Sequence, residues 1–167
     1  MKRIILTALL LLLGSTPLLH ALTPDGTYLF AKRDTCDLFL DVYNPPVEAE
    51  TTFEGKAKPT ILYVFGGGFI TGRRNDPYLF PWFRELLNAG YRIVSVDYRL
   101  GLKGVQMRFD ALHLIESAKL TKRAVDMGVE DVFSAVKYLI DNQDALEIDP
   151  RNIVIAGSSA GAMISLS

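Results

Sequence analysis

Residues 153–161, with the sequence IVIAGSSAG, decide the fold of this chain. An apolar run leads into a G-x-S-x-G motif that sets Ser159 between Gly157 and Gly161. The pattern predicts a buried strand that turns sharply into a helix, because only small residues fit beside such a turn. A turn of this shape presents a serine oxygen as a nucleophile. The alternative is a strand-to-helix turn with an incidental serine, but the apolar strand before the motif and the small residues after it favour a nucleophile.

A second glycine motif, Gly66-Gly67-Gly68, directly follows the apolar run at residues 60–65. Acyl transfer builds negative charge on a carbonyl oxygen, and backbone N–H groups that already point at that oxygen stabilise it. Glycines suit this task because they have no Cβ to keep the backbone away from a substrate. A glycine triplet alone could be a flexible loop, but its place at the end of a buried strand favours an oxyanion loop.

The hydrophobic pattern predicts strands that alternate with helices after a short strand pair. Strands are expected at residues 27–30, 37–43, 60–65, 91–97 and 153–156, helices at 77–89 and 121–142, and an exposed connection at 47–59. Such alternation is typical of an α/β fold, with a mostly parallel sheet and helices on both faces. Reactive groups in these sheets collect beyond the carboxyl ends of the strands, where both glycine motifs lie.

Four stretches together resemble the ordered landmarks of the α/β-hydrolase superfamily, in its esterase and lipase branch. That branch includes hormone-sensitive-lipase-like proteins and bacterial carboxylesterases. The stretches are residues 64–69 (VFGGGF), 96–100 (VDYRL), 130–139 (EDVFSAVKYL) and 157–161 (GSSAG). The resemblance covers residues 27–167 and implies an α/β-hydrolase fold truncated after the nucleophile turn. Residues 22–167 are therefore expected to be the N-terminal part of a hydrolase domain.

The resemblance also implies a set of site residues. Ser159 would be the nucleophile, and the backbone N–H groups of Gly67, Gly68 and Ala160 would form the oxyanion hole. Phe69 would line a substrate pocket or belong to the core. The implied activity is that of an exported serine hydrolase that cleaves small carboxylic esters through an acyl-enzyme, with no metal or organic cofactor. A peptidase of the same fold and a non-catalytic, hydrolase-like binding protein are the alternatives.

The chain departs from the resemblance at two places. Many relatives carry a histidine before the three glycines, where this chain has Phe65, and that histidine braces the loop through hydrogen bonds that phenylalanine cannot make. Residues 101–123 are longer than the usual segment after the Asp-Tyr-Arg-Leu motif. They could be part of a lid or a surface insertion, and the insertion is favoured.

The residues needed to activate Ser159 are missing from the expected positions. In this fold the nucleophile is followed along the chain by an acid and then a histidine, but His20 and His113 both precede Ser159. Asp97 also precedes it and is interpreted as a residue that holds loops in place. We therefore expect the chain to be a fragment, inactive alone, whose last strand is an exposed edge.

Residues 1–21 have the pattern of a secretory signal peptide, with a positive start, an apolar stretch at residues 4–13 and the small Ala21. The apolar stretch is too short to span a bilayer, although an uncleaved leader could still act as an anchor. The net charge of −1 gives no indication of a nucleic-acid partner. A single cysteine excludes an internal disulfide, and Cys36 is expected to be a half-buried strand residue.

Overall fold

A computed structural model describes residues 21–108 and 110–167 of the chain. The elements are β1 (Gly26–Lys32), β2 (Asp37–Tyr43), β3 (Thr52–Phe53), β4 (Lys56–Ala57), β5 (Thr60–Val64), a 3₁₀ helix (Pro77–Leu79), α1 (Phe80–Asn88), β6 (Arg92–Val96), α2 (Leu114–Asp141), α3 (Gln143–Leu146), β7 (Ile153–Gly157) and α4 (Ala160–Ser165). The predicted order of strands and helices is confirmed. The signal-peptide prediction concerns residues 1–21, of which residues 1–20 lie outside the described part of the chain.

The main sheet has five strands in the order β1-β2-β6-β5-β7. Strand β5 pairs in parallel with β6 and β7, whereas β2 is antiparallel to both of its neighbours. Four strands therefore run in one direction and only β2 runs in the other, which confirms the mostly parallel sheet. The carboxyl ends of β5, β6 and β7 consequently lie at one edge.

Helices cover both faces of this sheet. On one face, the α1 residue Phe83 packs against Tyr43 and Tyr63, with ring centroids 5.5 and 5.4 Å away. On the other face, Tyr138 of α2 lies 6.4 Å from the ring of Tyr28. Every residue of β5 is buried, as expected for a strand in the interior of a two-sided sheet.

Two local predictions differ from the structure, and a third is extended by it. Helix α2 begins at Leu114, seven residues before the predicted start at residue 121. The hydrophobic pattern did not mark this first turn, because Leu114 and Ile115 are exposed and do not continue the apolar face of the rest of the helix. The connection at 47–59 is mostly exposed, as predicted, and it also contains the small hairpin formed by β3 and β4. Cys36 lies just before β2 and is exposed, so its assignment as a half-buried strand residue was wrong.

Strand β7 forms one edge of the sheet and pairs with β5 alone among the described residues. Its Val154 and Ile155 are each 45% exposed. The expected exposed edge is thus present in the chain. In the part of the chain that the structure describes, no helix combines the length and the apolarity needed to cross a bilayer.

Candidate active site

The G-x-S-x-G motif forms the sharp turn that the sequence predicts. Ser159 lies between the end of β7 and the start of α4, with φ 49° and ψ −116°. This backbone conformation is strained for a residue with a side chain. Backbone hydrogen bonds hold the turn, from Gly161 N to Ser158 O at 2.8 Å and from Met163 N to Ser159 O at 3.1 Å. The result is an exposed Ser159 side chain at the carboxyl edge of the sheet.

The two glycines of the motif are required by close backbone contacts. A Cβ on Gly157 would lie 2.5 Å from the carbonyl carbon of Gly161. A Cβ on Gly161 would lie 2.1 Å from the carbonyl oxygen of Val64, so that α4 could not approach the end of β5. The spacing of the motif therefore reflects the packing of the turn and helix against the neighbouring strand.

The glycine triplet after β5 forms a tight loop. Gly67 has φ 131° and Gly68 has φ 64°. The carbonyl oxygen of Gly67 accepts hydrogen bonds from Ile70 N and Thr71 N, both at 3.1 Å. A Cβ on Gly67 would lie 1.9 Å from the backbone oxygen of Thr71, so this turn excludes any side chain at that position.

The glycine loop and the serine turn lie against each other. A Cβ built on Gly66 would be 3.3 Å from the Cβ of Ser159 and 3.0 Å from the Oγ of Ser158. Gly68, Ser159 and Ala160 line one cavity of about 290 Å³. The remaining lining residues are Phe69, Ile70, Leu102, Met107, Thr121 and Met163.

The predicted site residues are therefore largely brought together. Gly68 and Ala160 line the same cavity as Ser159, and Gly67 belongs to the turn beside it without lining the cavity. Phe69 is both buried and part of the cavity wall, so its two interpretations hold at once. The roles of nucleophile and oxyanion hole remain predictions.

Phe65, at the position where the resemblance implies a histidine, is braced by aromatic stacking. Its ring stacks on that of Tyr98, with centroids 4.4 Å apart and planes at 24°. The hydroxyl of Tyr98 donates a buried hydrogen bond to the carbonyl oxygen of Phe65 at 3.0 Å. Burial raises the pKa of Tyr98, and its tyrosine neighbours Tyr78 and Tyr63 add to the shift. This residue pair fixes the strand end that precedes the glycine loop.

The segment after β6 contributes to the cavity. Leu102 is buried, and its backbone N–H donates to the carbonyl oxygen of Phe69 at 2.9 Å. Leu102 and Met107 both line the cavity of Ser159. Three residues of the segment 101–123, Leu102, Met107 and Thr121, thus form part of the cavity wall. The choice between a lid and a surface insertion for this segment stays a prediction.

Two of the family landmarks are joined by a buried ion pair. Arg99, from the stretch 96–100, donates from Nε to the carboxylate of Asp131 at 2.8 Å, and its backbone N–H donates to the same carboxylate at 2.9 Å. Asp131, from the stretch 130–139, is fully buried and also accepts a hydrogen bond from Arg33 at 2.9 Å. The pair connects α2 to the carboxyl end of β6.

Ser158 lines a second cavity, of about 350 Å³, that the sequence pattern does not predict. Tyr63, Tyr78 and Trp82 are among its walls, and the Tyr63 hydroxyl lies 3.1 Å from the Oγ of Ser158. The two serines of the motif thus line different cavities. A run of aromatic residues in the stretch 77–83 was the available signal.

His113 and Asp97, which both precede Ser159 along the chain, have structural partners of their own. His113 Nδ1 lies 2.6 Å from a carboxylate oxygen of Asp110 at the start of α2, and neither residue lines the cavity of Ser159. Asp97 accepts hydrogen bonds from Phe39 N and from Arg74, as expected for a residue that holds loops together. Among residues 21–108 and 110–167, no group of three or more His, Cys, Asp or Glu side chains could hold a metal ion.

The mixed sheet, the strained serine turn and the adjoining glycine loop define an α/β-hydrolase fold. Residues 40–166 match the BD-FAE family, and the chain belongs to that family. Esterase E4 from Myzus persicae is 32% identical over 137 residues, and para-nitrobenzyl esterase from Bacillus subtilis is 28% identical over 137 residues. A solved esterase from Thermogutta terrifontis, Est2, has the same fold, with a TM-score of 0.59 and 23% identity.

The chain spans only part of each of these proteins. The two curated relatives each match 82% of this chain but only 22% and 25% of their own length. The match to Est2 covers 89% of this chain and 44% of Est2.

Proposed function

We propose that the protein is an exported serine hydrolase that cleaves carboxylic esters through an acyl-enzyme on Ser159. The observation that supports it most is the strained and exposed Ser159 on the same cavity as Gly68 and Ala160. Backbone strain at a site of this kind persists only where the surrounding structure imposes it, and it is often part of a mechanism. Membership of an esterase family and the similarity to proteins named as esterases agree with the proposal.

The reaction begins when Oγ of Ser159 attacks the ester carbonyl carbon while a base takes the hydroxyl proton. Negative charge develops on the carbonyl oxygen, and the N–H groups of Gly67, Gly68 and Ala160 are proposed to stabilise it. The ester C–O bond then breaks, and the alcohol leaves with the proton from the base. Water next attacks the acyl carbon and gives one proton to the base. That proton returns to Ser159 as the carboxylic acid leaves.

The base and its orienting acid are not beside Ser159 in the described residues, since His113 pairs with Asp110 away from the cavity. The proposal therefore requires that both come from elsewhere in the whole protein.

The proposal is tested with protein expressed from its complete reading frame. A fluorophosphonate probe is expected to label Ser159, and the Ser159→Ala variant is expected to remain unlabelled. If the wild-type protein stays unlabelled while circular dichroism shows that it is folded, Ser159 would be ruled out as the nucleophile. Hydrolysis of p-nitrophenyl acetate is then compared with that of peptide p-nitroanilides. Hydrolysis of anilides alone would indicate a peptidase, and hydrolysis of neither substrate would favour a binding protein.

We also propose that residues 1–21 direct export. N-terminal sequencing of the exported protein is expected to begin after Ala21. Recovery of the intact leader in a membrane fraction would instead support an uncleaved anchor.

A further inference from the structure

Arg74 is held at the end of the glycine loop by two carboxylates. Its Nε lies 2.9 Å from a carboxylate oxygen of Asp41, and its Nη1 donates to Asp97 at 2.5 Å. Its guanidinium also lies over the ring of Phe39, 5.4 Å from the centroid. Asp41 belongs to β2 and Asp97 follows β6, so the side chain connects the loop to two neighbouring strands.

The main chain of Arg74 is fixed as well. The hydroxyl of Ser95 donates to the carbonyl oxygen of Arg74 at 2.7 Å. Asp41 is itself buried and accepts a hydrogen bond from the Thr27 hydroxyl at 2.5 Å. Both the backbone and the side chain of Arg74 are therefore attached to residues that belong to the sheet.

Little freedom remains between the glycine triplet and this attachment. Ile70 N and Thr71 N both bond back to Gly67 O. A Cβ on Gly72 would lie 2.5 Å from the carbonyl oxygen of Gly66, which shows how closely the returning chain lies against the triplet. The loop is consequently fixed at its start by Phe65 and Tyr98 and at its end by Arg74.

We propose that Arg74 is a positioning residue that holds the N–H groups of Gly67 and Gly68 in place beside Ser159. This inference rests on the proposed function only for its effect on catalysis. The proposed effect on the loop itself follows from the contacts of Arg74 and holds whether or not an ester is cleaved.

The test compares Arg74→Met and Arg74→Lys with the wild-type protein expressed from its complete reading frame. Arg33→Met is the matched control, because Arg33 also pairs with a buried aspartate, has a similar exposure of 21% against 18%, and contacts α2 instead of the loop. Amide hydrogen exchange of residues 66–74 is measured by mass spectrometry, together with kcat and KM for p-nitrophenyl acetate.

Arg74→Met is expected to speed exchange across residues 66–74 and to lower kcat by about 10- to 100-fold, because small displacements of positioning groups cost that much. KM is expected to change by less than about threefold, since the oxyanion donors act in the transition state. The exchange rate and kcat of Arg74→Lys are expected to lie between those of the wild-type protein and Arg74→Met, because one ammonium group cannot match both carboxylates. Arg33→Met is expected to lower the melting temperature while leaving loop exchange and kcat unchanged.

Removal of Arg74 leaves the buried Asp41 charge unpaired and could prevent folding. The same comparison is therefore also made in an Asp41→Asn background, in which that charge is absent. Unchanged exchange of residues 66–74 in folded Arg74 variants would overturn the proposal, as would equal changes in Arg33→Met. If the wild-type protein cleaves no ester, the proposed function fails, and the exchange measurement still decides the role of Arg74.

Discussion

Gly67 and Gly68 both have positive φ, but a side chain would meet very different surroundings at the two positions. At Gly67 a Cβ would collide with the backbone of Thr71, whereas at Gly68 no atom lies within 4 Å. The cost of a side chain at Gly68 is therefore limited to backbone strain. At Gly67 the turn itself would have to rearrange.

Gly67→Ala is consequently expected to destabilise the protein more than Gly68→Ala. For Gly68→Ala we expect a loss of about 1–2 kcal/mol in the free energy of unfolding, the usual cost of a left-handed conformation. For Gly67→Ala we expect a larger loss. Urea denaturation of both variants measures the difference, and equal losses would contradict the assignment of the Thr71 contact.

Tyr98 should make the stability of the protein sensitive to alkali. Its pKa is raised by burial, as is that of Tyr43. Above about pH 10, an unfolded tyrosine ionises while the buried one stays protonated, so the free energy of unfolding falls as pH rises.

Tyr98→Phe is therefore expected to reduce the decrease in melting temperature between pH 9 and 11, with Tyr43 still contributing in both proteins. At neutral pH the variant is expected to be less stable by about 1–2 kcal/mol, because Phe65 loses a buried hydrogen bond. Parallel pH profiles for the two proteins would show that Tyr98 does not control this sensitivity.

Among the secondary-structure elements, α4 makes close contacts with both β5 and α2. Gly161 faces the backbone oxygens of Val64 and Phe65 at the end of β5. Gly128 of α2 faces the side chain of Ile164, and a Cβ there would lie 2.4 Å from its Cδ1. The neighbour of Gly161 is rigid backbone, whereas the neighbour of Gly128 is the tip of a flexible side chain.

Gly161→Ala is expected to cost about 3 kcal/mol, at the upper end of the usual range for overpacking. Gly128→Ala is expected to cost less, because Ile164 can move and because alanine favours the helix by about 1 kcal/mol over glycine. Thermal unfolding of the two variants measures the contrast. A larger loss for Gly128→Ala would mean that α2 cannot tolerate any shift of Ile164.

The elements with a clear hydrophobic pattern could be predicted from the sequence. The central part of α2 could be predicted because Ala124, Val132 and Leu139 share one buried face, whereas the first turn of the helix has no such face. The contact between Ser159 and the glycine loop was predictable because each motif ends a parallel strand. The hydrogen bonds from Arg74 to Asp97 and from Tyr98 to Phe65 were not predictable, because the partners are distant in sequence and no local spacing encodes the pairing.

At the scale of the whole molecule, the edge of the sheet at β7 has no strand partner among the described residues. An edge strand with unpaired backbone groups and exposed apolar side chains can pair with another chain. Val154 and Ile155 lie on such an edge in the 167-residue chain.

The 167-residue chain is therefore expected to self-associate as its concentration rises, and Val154→Lys is expected to reduce this association. Val47→Lys provides the control, since Val47 is fully exposed but lies in a loop outside the sheet. Light scattering over a concentration series measures the effect. Equal scattering by the two variants would exclude β7 as the contact surface.

The strained backbone of Ser159 has a consequence for the history of such sequences. Glycine adopts φ 49° without the penalty that serine bears, so a change to glycine at this position would favour the folded state while removing the hydroxyl. On the proposed function, selection for activity would keep serine there against this backbone strain. In a lineage where that selection is relaxed, position 159 would be among the first to drift.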